Sequence, residues 1–247
     1  MVRNLYDRGF MGMPEMHRWH CTCDDCSFYS GWLFRAQTDS SCSGEVITSI
    51  LHHDPEDERF HPDVFDILQD AALETDSEPG MAAGLHVHVG IGHLSARQMD
   101  DAFRAFWTHE RMLVELARGR FPRTRGGNEM VRDVIDLDGW DSVREARIAH
   151  QQNDRHNNLN MNTGHDTWEF RLWNSTRSAW RLEMFTRLSV ALVDPGVVAL
   201  MLEDDDCSNL DDVLLDAGHE RCAELVHRQF TYNREVGHTA PSTLTNL

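Results

Sequence analysis

The first regular hydrophobic pattern is Gly44–Leu51 (GEVITSIL), a β-branched run bounded upstream by DSSCSG, and it predicts a strand. After an acidic stretch (HHDPEDE), Val64, Phe65, Ile67 and Leu68 form an apolar face that predicts a helix from about Pro62 to Leu73. The turn Ser77–Gly80 (SEPG) leads to a second strand, GLHVHVGIG, beginning at Gly84. Ser95 to Gln98 has capping-box spacing and opens a helix running to about Arg118. Met99, Phe103, Phe106, Leu113 and Ala117 form its stripe, and Gly119 is a natural stop. Residues 119–165 follow no period, and a connection of that length is expected to carry function or structure that the pattern does not reveal. DTWEFRLWNS, from Asp166, predicts a third strand. Helices are expected over Ala179–Val193 and Asn209–Phe230, with Asp211 and Asp212 suited to the first turn of the latter. Strands interleaved with helices, without a regular βαβ beat, predict an α+β fold.

Composition narrows the class. With 247 residues, of which 40% are hydrophobic, the chain can bury one sizeable core, and a single folded domain is the simplest expectation. Three segments are expected: a Cys/His-rich stretch at 1–30 without clear periodicity, a main domain at 31–236 and a loose tail at 237–247. No apolar run approaches the ~20 residues needed to span a bilayer, and MVRNLYDRG lacks the apolar core of a secretory signal, so a cytoplasmic protein is expected. The formal charge of −18 argues against nucleic acid as the main partner, despite a local strip at Arg118, Arg120, Arg123 and Arg125. The chain contains no Lys, so a cation that meets a phosphate or carboxylate must be Arg, a metal or a protonated His.

Two segments carry the chemistry. His86 and His88, two apart in a strand, share one face, with Leu85, Val87 and Val89 on the other. Such a pair can bind metal, act as a tuned acid/base pair, or simply face solvent. A cupin would need a Glu four or five residues further on, where this chain has Gly92 and His93, so that reading fails. In the later strand, Thr167, Glu169 and Arg171 share one face, while Trp168, Phe170 and Leu172 share the other. Glu169 and Arg171 could pair across solvent, or could hold a cation and a phosphate side by side.

GLHVHVG followed about eighty residues later by TWEFRLWNST resembles the bacterial and phage-encoded amidoligases, assigned as carboxylate–amine ligases related to glutamine synthetase and the glutamate–cysteine ligases. Asp39–Leu51 (DSSCSGEVITSIL) is a looser third match, with Gly44 and Glu45 adjacent, and the three together cover roughly Asp39 to Arg187. The resemblance implies a glutamine-synthetase-like curved antiparallel sheet, an open half-barrel with helices packed outside, whose concave face holds ATP and Mg²⁺. It implies that Glu45, His86 or His88, and Glu169 sit at metal and phosphates, and that Arg171 contacts phosphate or the activated substrate. The substrates would be a small-molecule or peptide carboxylate and an amine, and related ligases often assemble into homo-oligomers. The chain departs from the family at one place: nothing before Asp39 has the usual Gly-x-Glu-x-Glu strand, and Glu15 is the only Glu there.

The N-terminal segment has a signal of its own. His17, His20, Cys21, Cys23 and Cys26 (HRWHCTCDDC) hold the inventory of a Cys₃His zinc site, with free thiols the competing reading. Arg123, Arg125 and Asn128, in a Gly-containing loop, could reach nucleotide phosphates, and Asn160 and Asn162 could line the same cleft. Two other classes stay open beside the ligase: a non-catalytic binding protein of the same fold with an N-terminal zinc, and a zinc hydrolase using the His pair.

Overall fold

The computed structural model describes residues 2–8, 34–39, 42–48, 64–74, 84–117, 157–161, 166–203 and 209–235. They fall into two compact units, one comprising 1–83 with 176–182 and the other 84–175 with 183–247.

The first unit contains a short helix α1 (Val2–Asp7), strands β1 (Phe34–Asp39) and β2 (Cys42–Thr48), and helix α2 (Val64–Glu74). The periodicity placed α2 to within two residues, and Val64, Phe65 and Ile67 are buried together with Ala71 and Ala72, whereas Leu68 is only half-buried. β2 starts two residues before the expected strand, and Ser49–Leu51 lie outside the described residues. Two elements escaped the sequence pattern. α1 is a single six-residue turn-and-a-half, too short to show a stripe. β1 alternates only weakly, yet it pairs antiparallel with β2, with Gln37 opposite Glu45 and Ala36 opposite Val46. A strand therefore does precede Glu45, but its sequence, FRAQTD, carries no Gly-x-Glu-x-Glu. Gln69 on α2 accepts the backbone N–H of Ala179 at 2.9 Å, supplying a partner to one of the free amides at a helix start.

The second unit is built on a three-stranded antiparallel sheet in the order β3-β5-β4, from β3 (Gly84–Gly90), β4 (Leu159–Asn160) and β5 (Thr167–Asn174). Helix α3 (Ala96–Ala117) covers its apolar face. α3 starts at a reciprocal capping box: the Gln98 amide N–H donates to Ser95 Oγ at 3.3 Å, and the Ser95 N–H donates back to Gln98 Oε1 at 2.9 Å. Phe103, Phe106, Leu113 and Ala117 from the expected stripe are buried, and Phe106 meets Phe170 edge to face with centroids 5.9 Å apart. The last turn of α3 is capped from far along the chain. Asn174 donates to the carbonyl of Ala117, Gln229 to that of Leu116, and Asn233 to those of Glu115 and Leu116.

Helix α4 (Ala179–Ala191), whose residues from Glu183 on belong to this unit, is followed by α5 (Pro195–Glu203), α6 (Leu210–Asp216) and α7 (Glu220–Glu235). Two readings from the sequence are corrected here. The apolar run Gly196–Leu202 forms α5, which was not expected; Asp194 opens it by accepting the N–H groups of Gly196 and Val197. The single helix expected over Asn209–Phe230 is two helices, broken where Gly218 takes φ +83°, a left-handed conformation that glycine adopts without penalty. The polar stretch before Asp166, expected to carry structure that the pattern does not reveal, contains β4, whose two residues are too few to show alternation. α4 and α7 are tied through Glu183, which accepts from Arg187 Nε at 2.9 Å and from Arg221 Nη2 at 3.1 Å. Cys222 on α7 is buried.

Among the described residues no single helix is long and apolar enough to cross a membrane; α4 and α5 pass such a test only as a pair bent by 82°. The architecture is mixed helix and sheet, as the interleaved pattern predicts.

Candidate active site

The polar face of the sheet is assembled by strand register. His88 on β3 lies directly opposite Glu169 on β5, and on the other side of β5 Asn160 on β4 lies opposite Glu169 as well. Directly opposed residues in an antiparallel pair have Cβ atoms about 4.5–5.5 Å apart, so His88, Glu169 and Asn160 form one row across all three strands. Val87 and Val89, with Trp168 and Phe170 opposite, fill the other face and are buried. The alternation read from the sequence therefore holds: one side is core and the other carries the ionisable groups.

The row beside it is irregular. Val87 pairs with Phe170 but Leu85 pairs with Trp173, so two β5 residues, Arg171 and Leu172, stand against the single β3 residue His86. This is a β-bulge, a device that re-aims a side chain and locally sharpens the twist. It has two effects. Trp173 is brought onto the core face, where it is fully buried, stacks on Phe185 at 4.9 Å and donates its indole N–H to Ser189 Oγ at 2.8 Å. Arg171 stays beside Glu169 on the polar face, with Nη1 donating to Oε1 at 2.7 Å.

Glu169 is the centre of the cluster. Its Oε1 receives Arg171 at 2.7 Å and faces His86 Nδ1 at 3.1 Å and His88 Nε2 at 3.7 Å; its Oε2 receives Asn160 Nδ2 at 2.8 Å. The carboxylate side chain is only 8% exposed, whereas the two imidazoles are 31% and 49% exposed, so a buried anion carries two accessible rings. Burial alone would raise its pKa, but the His86 hydrogen bond, the Arg171 charge, Asn160 and the His88 charge outweigh it and hold the carboxyl down to about 2. His88 Nδ1 also faces Thr167 Oγ1 at 3.4 Å. Behind the sheet, Asn158 donates to the fully buried Glu110 of α3 at 2.9 Å, and its carbonyl accepts the Arg171 N–H at 2.7 Å, fixing the backbone at the bulge.

Of the residues singled out from sequence, His86, His88, Asn160, Glu169 and Arg171 converge here. Asn160 enters as a direct partner of Glu169, a role that spacing alone did not indicate. Thr167 was visible as a face-mate but not as a partner of His88, and the bulge had no sequence signal. Glu45 lies on β2 of the first unit. Arg123, Arg125, Asn128, Asn162 and the set His17, His20, Cys21, Cys23 and Cys26 lie outside the described residues.

The donor set can be tested against the Mg²⁺ that the family resemblance implies. Both oxygens of Glu169 are already occupied by N–H donors, one of them a guanidinium, and the neighbouring groups are nitrogen ligands, which Mg²⁺ disfavours. Among the described residues no group of three His, Cys, Asp or Glu side chains is placed to hold a metal ion. The cluster as built therefore does not fit Mg²⁺.

An acidic strand residue fixed between an arginine, an amide and two imidazoles, on an antiparallel sheet backed by a helix, is the kind of polar platform on which a polar substrate is oriented and charge is neutralised. The family described as "Putative amidoligase enzyme" matches residues 30–193, two thirds of the chain, including all three strands of the cluster. The chain belongs to that family, whose description points to amide-bond formation. No curated protein and no solved structure matches it.

Proposed function

We propose that this protein is an ATP- and Mg²⁺-dependent ligase that joins a carboxylate to an amine through an acyl phosphate. The acid and the amine are small molecules or peptide side chains or termini. The observation that carries the reading is the Glu169-centred cluster, built from the two segments that resemble the family and lying within the matched span.

A carboxylate does not react with an amine until one of its oxygens becomes a leaving group, and phosphorylation by ATP achieves this. Arg171, the cluster's permanent cation, suits the charge that builds on the acyl oxygen or on the transferring phosphoryl group. Glu169, itself fixed by Asn160, holds that guanidinium in one geometry, so little reorganisation is needed when the charge appears. Mg²⁺ neutralises phosphate charge in such reactions, and since the cluster does not fit it, the ion is taken to arrive with the nucleotide. The three-stranded sheet is read as part of the curved half-barrel of glutamine-synthetase-like ligases, with α3 on its outer side.

The test is ADP release from Mg²⁺-ATP in the presence of pooled acids and amines. Turnover is expected that needs an acid, an amine and Mg²⁺ together, and that falls by at least about 10²-fold in Arg171→Ala, the usual scale for losing an oxyanion-stabilising group. Folded protein that neither binds Mg²⁺-ATP nor releases ADP with any pool would refute the reading.

A further inference from the structure

We propose that His86, and not His88, presents an open ring acceptor on this face, locked as the Nδ1–H tautomer by Glu169, and that it receives an N–H of the amine substrate. The assignment of the amine rests on the ligase reading above; the tautomer does not.

The two imidazoles share a face but differ in what their nitrogens meet. His88 turns both toward the protein, Nε2 toward Glu169 at 3.7 Å and Nδ1 toward Thr167 at 3.4 Å. His86 turns only Nδ1 inward, to Glu169 Oε1 at 3.1 Å, and its Nε2 meets no partner among the described residues. A carboxylate can only accept, so Nδ1 of His86 must carry the proton, and in the neutral ring Nε2 is then the lone-pair nitrogen. The orienting carboxylate is itself fixed, by Arg171 at 2.7 Å and Asn160 at 2.8 Å, so the ring is directed by a group that is held from two further sides. The bulge contributes as well, because His86 is the single residue against which Arg171 and Leu172 both stand. An acceptor nitrogen beside an arginine suits a reaction in which an amine must approach an activated carboxylate. As the N–C bond forms, the C–O bond to phosphate breaks and phosphate leaves with that electron pair. The proton displaced from nitrogen passes to Nε2. The same geometry explains why the cluster does not fit Mg²⁺: Glu169 is spent on orienting side chains.

The experiment is two-bond ¹⁵N–¹H correlation NMR of histidine-labelled full-length protein at pH 8, with His86 and His88 assigned from His86→Asn and His88→Asn. The expected spectrum shows His86 with a protonated Nδ1 and an unprotonated Nε2. In Glu169→Ala the lock is expected to be lost and the other tautomer to appear; if that variant does not fold, the native spectrum alone decides. Mn²⁺, added as a Mg²⁺ surrogate without nucleotide, is expected to leave the His86 and His88 signals no more broadened than those of surface histidines. An Nε2–H or doubly protonated His86, or selective broadening of this pair by stoichiometric Mn²⁺, would overturn the proposal whether or not the protein is a ligase. Once turnover is in hand, His86→Gln, which cannot take up the proton, is expected to lower kcat by about 10²-fold or more and to change KM for the amine by no more than about tenfold, with KM for ATP unchanged. If KM for ATP moved instead, Nε2 would belong to the nucleotide, and the amine assignment would fail while the ligase reading stood.

Discussion

Glu169 offers a direct way to weigh the cluster, because its protonation is coupled to folding. Its carboxyl pKa is lowered from 4.5 to about 2 in the folded protein. A depressed folded-state pKa means that its stabilising contribution is fully present above pH ~4.5 and is lost as the pH falls toward the folded value of about 2. At about 1.4 kcal/mol per pKa unit, the whole contribution is roughly 3 kcal/mol. All 41 acidic residues titrate over this range, so the native curve alone cannot isolate it. Glu169→Gln can, because it removes one titrating group while keeping an acceptor for Arg171 and His86. We expect the mutant to be less stable than the native protein at pH 6 and the gap to close progressively between pH 5 and pH 2. Urea unfolding followed through tryptophan fluorescence is the assay, since Trp168 and Trp173 are buried on the same strand as Glu169. The offset from altered packing is independent of pH and cancels in the slope. A gap that stays constant from pH 5 to pH 3 would refute the reasoning, because Glu169 would then titrate alike in folded and unfolded chains.

Further predictions test the scaffold. Ser95→Ala removes the hydroxyl that accepts the Gln98 N–H and should cost about 1 kcal/mol in urea unfolding, whereas Arg97→Ala, an exposed residue with a single 3.7 Å ion pair, should cost less than about 0.5 kcal/mol. Gly218→Ala meets no atom within 4 Å but must hold φ +83°, so a loss of roughly 1–2 kcal/mol by thermal melting is expected from backbone strain alone. Phe106→Ala empties a fully buried site against Phe170 and should cost about 3–5 kcal/mol, or prevent folding of the second unit, as seen by circular dichroism.

What the sequence made legible follows from length and period. α2, α3, β3 and β5 each repeat their pattern often enough to be read, and α3 also announces its start through Ser95 and Gln98. The two faces of β3 and β5 followed from period two, whereas the meeting of His86 and His88 with Glu169 and Arg171 depends on the pairing of those strands, which only the family resemblance suggested. The failures have a common physical origin. β4 has two paired residues and α1 six, so neither contains a full pattern. The break at Gly218 interrupts a stretch whose apolar spacing continues on both sides, and the clue was a single glycine. The bulge was invisible because Trp173 and Leu172 are both apolar, so alternation does not reveal which one is the extra residue. Asn160 was noticed for its position before the third strand, but only strand pairing across β5 shows that it touches Glu169.

The three side-chain amides that close the end of α3 also bear on how the protein is made. Leu116 and its partner Gln229 lie 113 residues apart, and at about 5–20 residues per second that separation is roughly 6 to 23 seconds of translation. During this interval the helix behind the sheet exists with its final carbonyls facing water. The second unit therefore cannot close this end of α3 until α7 has been synthesised. A premature stop between β5 and α7 would yield a nascent polypeptide with the whole Glu169 cluster encoded but its supporting helix unfinished, a species better suited to chaperones and proteases than to catalysis.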